Sequence, residues 1–101
     1  MVFDEDEKLL YMSRLAIPAI KEGKKRPVYY KQVCIYAFNK KELNAFGERI
    51  KKTPLESCED IEILRFLEMG FTIKMSLTDS YSVAVDIPAD VSKVERFLKS
   101  Q

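Results

Sequence analysis

Residues 53–70, TPLESCEDIEILRFLEMG, carry the strongest local signal in the 101-residue chain. Thr53 with Glu56 three residues later is a capping box, and Pro54 takes the first helical position, where its missing N–H would have been unpaired anyway. Gly70 stands where a C-terminal cap belongs. One helix is predicted across the stretch, with Leu55, Cys58, Ile61, Leu64 and Leu67 as its apolar stripe.

Such a stripe needs a partner layer, and strand patterns lie on both sides. Upstream, residues 30–38 (YKQVCIYAF) are β-branched and aromatic with a continuous apolar middle, which reads as a buried strand. Asn39 caps a helix predicted over 40–52, with Leu43, Phe46 and Ile50 on one face. Downstream, residues 71–77 (FTIKMSL) alternate as a strand, 79–80 turn the chain, and 81–85 form another strand. Pro88 then opens a last helix whose inner face is Val91, Val94, Phe97 and Leu98. At the start, Val2-Phe3 and residues 8–12 flank the acidic turn 4–7 as a β-hairpin, and residues 21–27 read as a surface loop. The order is hairpin, strand, helix, helix, strand, strand, helix. It implies one domain over residues 1–101, an α/β or α+β sheet with helices packed on it, of which α/β with a mixed sheet and flanking helices is the expected class, with no repeat or linker to divide it.

Composition narrows the chemistry. Seventeen basic and sixteen acidic residues give a net charge of +1, too little field to gather nucleic acid. No apolar run is long enough for a membrane span, and the acidic start MVFDEDEKLL is unlike a signal peptide, so a cytoplasmic location is expected. Histidine is absent, which excludes Ser-His and Cys-His catalysis within the chain. Cys34 and Cys58 fall in apolar patterns and read as buried free thiols, too few for a four-thiolate zinc site. Three scattered glycines make no phosphate cradle.

Asp86 is the residue with two readings. It sits between a predicted strand and the helix that Pro88 opens, where ligands and metal ions meet α/β proteins, yet a carboxylate there also complements the helix dipole. Ser13-Arg14 after the hairpin, Gln32 and Tyr36 on one side of the predicted strand, and Glu62 between two isoleucines are the other polar groups in apolar settings. Arginine suits a carboxylate, while Gln, Tyr and Glu suit sugar hydroxyls.

Four motifs in order, Leu10-Tyr11-Met12-Ser13-Arg14, then residues 31–38, then Pro54-Leu55-Glu56 with Ile61-Glu62-Ile63-Leu64-Arg65, then Val85-Asp86-Ile87-Pro88-Ala89-Asp90, resemble the C-terminal half of the CMP-Kdo synthetases, the 3-deoxy-manno-octulosonate cytidylyltransferases. The CMP-acylneuraminate synthetases are a weaker match. The resemblance implies a fold like that of nucleotide-diphospho-sugar transferases and an enzyme joining CTP to an acidic sugar. The anomeric hydroxyl attacks the α-phosphate, pyrophosphate leaves, and magnesium bridges the reactants. It implies Asp86 as a metal ligand and Arg14, Gln32, Tyr36 and Glu62 as sugar-binding residues, with no catalytic side chain assigned. Gln32 replaces the family's histidine, Ile63 its glutamine, Ile87 its capping threonine, and Glu7 a hairpin glycine. The family's N-terminal CTP-binding half does not occur in the sequence. The expectation is therefore a sugar-binding and dimerisation portion, a homodimer inactive alone. The alternative is a non-catalytic oligomerisation or binding module on the same scaffold.

Overall fold

A computed structural model of the chain describes residues 1–79 and 82–101. Ser80 and Tyr81, where the sequence places half a turn and the start of a strand, lie outside the described residues. The elements are β1 (Val2–Phe3), β2 (Leu9–Tyr11), α1 (Lys40–Glu48), α2 (Pro54–Glu59), α3 (Ile63–Glu68) and α4 (Pro88–Lys99). The class is mixed α and β, as predicted, with a two-stranded antiparallel sheet.

The hairpin forms where the sequence puts it. Asp4 Oδ1 accepts from the N–H groups of Asp6 and Lys8, both at 2.9 Å, and its own N–H donates to the Lys8 carbonyl. Glu7 turns the chain at φ 64, a conformation that costs a non-glycine residue about 1 kcal/mol or more. Beside β2, the Leu9 N–H donates to the Ile73 carbonyl and the Met75 N–H to the Glu7 carbonyl. The strand predicted over 71–77 is thereby reduced to a single bridge at Lys74.

The predicted long helix is instead two. Asp60 adopts the left-handed conformation, φ 54 and ψ 48, and its N–H closes α2 on the Glu56 carbonyl. Asp tolerates this region better than most residues, and Arg14 stabilises the break by donating to the carbonyls of Glu59 and Asp60. The stripe changes with it: Leu55 and Cys58 are exposed, while Ile61, Ile63, Leu64 and Phe66 join Leu9 and Met12 in the core. Helix α3 is the centre of that core and packs on α1, α2 and β2.

A buried ion pair holds these helices together. Arg65 donates through Nε and Nη2 to Glu56 at 2.6 and 2.7 Å, and through Nη1 to the carbonyls of Phe46 and Arg49. The Arg65 guanidinium holds the Glu56 carboxyl below its usual range despite burial. The Phe46 carbonyl is the one that Ile50 would need to prolong α1, which helps explain why that helix stops at Glu48 rather than 52. Ile50, expected on its inner face, is 95% exposed.

Among the described residues the remaining predicted strands do not form. Residues 30–38 carry no strand, and Cys34 breaks the extended run at φ 62. The segment docks through rings instead, Phe38 stacking on Phe66 at 4.8 Å and Tyr30 meeting Phe3 edge-on. Residues 82–85 are also without strand pairing. Helix α4 begins at Pro88, as predicted, and runs to Lys99; Val91 and Leu98 on its expected inner face are exposed, Val94 and Phe97 are half-buried, and among the described residues no other helix or strand packs on it. Both cysteines are exposed rather than buried.

The result is an open molecule. Its radius of gyration is 16.5 Å, where a chain of this length packs to about 13 Å. Its accessible surface is 8447 Å², against about 5,900 Å² for a folded monomer of its mass. Among the described residues no helix is long and apolar enough to cross a membrane.

Candidate functional site

The α2–α3 break, the end of the hairpin and the segment 30–38 converge on one cleft of about 220 Å³. Four of the five residues singled out from the sequence line it: Arg14, Gln32, Tyr36 and Glu62. Ser13, Cys34, Asp60 and Ile61 complete the walls.

One wall is built around the end of α2. Arg14 Nε donates to the Glu59 carbonyl and Nη2 to that of Asp60 at 3.3 Å, so part of the guanidinium caps the helix. Nη1 has no hydrogen bond among the described residues. The Asp60 carboxylate pairs with Lys52 at 2.7 Å, which lowers the Asp60 pKa and raises that of Lys52. Glu59 sits behind Arg14, its carboxyl held below the usual range by the Ser13 hydroxyl, against the upward effect of burial, with the Arg14 N–H and Tyr11 hydroxyl adding to it. Glu62 follows the break and is exposed; its carbonyl accepts from the Arg65 N–H at 3.0 Å, while its carboxylate has no hydrogen bond among the described residues.

The facing wall comes from residues 32–36. The Tyr36 hydroxyl donates to Gln32 Oε1, which leaves the Gln32 amide N–H groups free to donate. Burial, then the neighbouring Cys34 and Glu62, push the Tyr36 pKa up to about 12, so the hydroxyl keeps its proton across the neutral range. Ile63, where the resemblance leads one to expect a glutamine, is 3% exposed in the core and outside this cleft. Next to the cleft, Tyr36 and Glu62 also border an apolar groove floored by Phe38, Phe46 and Phe66.

Asp86 stands elsewhere. It is exposed at the entrance to α4 and does not line the cleft. The helix-entry role considered for its carboxylate is filled by Asp90, which accepts from the N–H groups of Asp86 and Ile87 at 3.2 and 3.3 Å. Lys93, followed by those two N–H groups, holds the Asp90 carboxyl below its usual range. The spacing from Ile87 to Asp90 was the available signal, since an acid at the third helical position reaches back to the cap. Among the described residues no three Cys, Asp or Glu side chains gather as a metal site, so Asp86 belongs to no such group there. A magnesium ion would need its other ligands from outside these residues.

Cys34 and Asp60 were the cleft residues that sequence reasoning missed. Cys34 shares the period-two alternation of Gln32 and Tyr36, and Asp60 is a residue type that accepts the left-handed turn.

No family model and no solved structure matches the chain. Curated relatives do. The 3-deoxy-manno-octulosonate cytidylyltransferase of Chlamydia pneumoniae is 41% identical over 97 residues, covering 96% of this chain and 37% of the relative. That of Christiangramia forsetii is 39% identical over 98 residues, covering 97% and 39%. The 8-amino-3,8-dideoxy-manno-octulosonate cytidylyltransferase of Shewanella frigidimarina is 41% identical over 95 residues, covering 94% and 38%. The chain spans less than half the length of these relatives. Along nearly its whole length it is thus homologous to a portion of the 3-deoxy-manno-octulosonate cytidylyltransferases.

Proposed function

We propose that the chain is the sugar-binding and dimerisation portion of a CMP-sugar synthetase, a single domain on part of a nucleotide-diphospho-sugar transferase fold. The complete enzyme transfers CMP from CTP to an acidic sugar such as 3-deoxy-manno-octulosonate, with release of pyrophosphate, in the cytoplasm and as a homodimer. The observation that carries this reading is the meeting of Arg14, Gln32, Tyr36 and Glu62 in one cleft, although they come from three separate stretches of sequence.

Each side chain has a part that its geometry allows. The free Nη1 edge of Arg14 binds the sugar carboxylate, the Gln32 amide donates to a sugar oxygen, and Glu62 accepts from hydroxyls. Tyr36, protonated at neutral pH, fixes the Gln32 amide. Asp86 contributes one ligand to magnesium, the others belonging to polypeptide that the relatives have and this sequence lacks. The chain alone does not turn over CTP.

Titrating the chain with 3-deoxy-manno-octulosonate, followed by amide NMR, tests the sugar-binding reading. Shifts at Arg14, Gln32, Tyr36 and Glu62, abolished by Arg14→Ala, are the expected result; absence of binding at tens of millimolar sugar overturns it. In a full-length protein carrying this portion, Asp86→Asn lowers kcat severely with little loss of stability.

The large exposed surface favours a second reading, a non-catalytic oligomerisation module. Association of the chain in dilute solution, without sugar binding, would select it.

A further inference from the structure

Cys34 stands between Gln32 and Tyr36 on the facing wall of the cleft, exposed and at φ 62. The Tyr36 hydroxyl lies against its thiol and donates to Gln32, so these three side chains form one connected surface. The opposite wall, Arg14, Asp60 and Glu62, is charged. A ligand large enough to reach both walls of a cleft of about 220 Å³ therefore meets the thiol. The left-handed backbone at Cys34 is one that L side chains adopt at a cost and that glycine adopts freely. The thiol thus stands where a glycine would relieve the backbone, and it takes up space in the cleft beside the Gln32 amide.

We propose that Cys34 is a specificity-determining residue of this cleft, in van der Waals contact with the bound acidic sugar. The proposal rests on the sugar-binding reading above and assigns a role to a side chain that reading leaves unused. Gln32 sets which sugar oxygen is bound; Cys34 sets how much substituent fits next to it.

The chain carries its own control, because Cys58 is also an exposed free thiol but lies outside the cleft. Alkylation by iodoacetamide, read at each cysteine by peptide mass spectrometry, is measured with and without 3-deoxy-manno-octulosonate. With the sugar at about ten times its Kd, Cys34 alkylation slows about tenfold while Cys58 is unchanged. Cys34→Gly keeps a cooperative melt and binds the sugar about fivefold more weakly. Sugar binding by NMR with Cys34 alkylation unaltered, or with Cys34→Gly binding as tightly as the parent, overturns the proposal and leaves the sugar-binding reading standing. Absence of binding to the parent chain overturns both.

Discussion

The molecule has a closed half and an open half, and the difference lies in what each helix finds to pack on. Around α3, six apolar side chains are buried, together with Thr53, Glu56 and Arg65. Within α4 no described residue is buried, although that helix has the proline start, the back-reaching Asp90 and an apolar face. Local hydrogen bonds suffice to define where a helix begins and ends. They do not by themselves bury its apolar side, which takes a packing surface contributed by other segments.

Substitutions in the closed half have the largest expected effects. Arg65→Ala leaves the Glu56 carboxylate buried and unpaired and frees the Phe46 and Arg49 carbonyls; a loss of about 3–5 kcal/mol is expected, enough to unfold a domain this small. Urea denaturation measures it, and a loss under about 1 kcal/mol would remove the ion pair as the link between α1, α2 and α3.

Acid weakens the same contact. The Glu56 pKa is lowered from 4.5 in the folded state, so the unfolded chain binds the proton first as pH falls. The stabilisation is complete above the unfolded value and is lost as pH drops through the lower folded one. A thermal midpoint that is flat from neutral pH to about 5 and then falls is expected; a midpoint independent of pH down to about 2 would contradict it.

Smaller effects refine the contrast. Asn39 accepts from the Glu42 N–H at 3.2 Å, and Asn39→Ala should cost about 1 kcal/mol, with α1 fraying before α3. At the other extreme, Val91→Asp at an exposed position of α4 should change the stability of the core by less than about 0.5 kcal/mol. Hydrogen exchange should show α4 amides opening far more readily than those of α3. A destabilisation of 2 kcal/mol or so at Val91 would mean that α4 is packed in solution, and the contrast would fall.

What could be read in the sequence depended on the range of the forces involved. The hairpin, the Asn39 cap, the Thr53-Pro54 start and the Pro88 start rest on contacts within a few residues, and all four appear where the sequence puts them. The five candidate residues came from resemblance and residue chemistry; the structure brings Arg14, Gln32, Tyr36 and Glu62 together and leaves Asp86 apart. Tertiary structure alone decided the left-handed turn at Asp60, because Arg14 and Lys52 fix it from other segments. It also decided that residues 30–38, 71–77 and 82–85 make no extended sheet. A strand pattern states which side chains want burial, but a ladder needs a neighbouring backbone to bond to, and that neighbour is specified by the whole fold rather than by the strand.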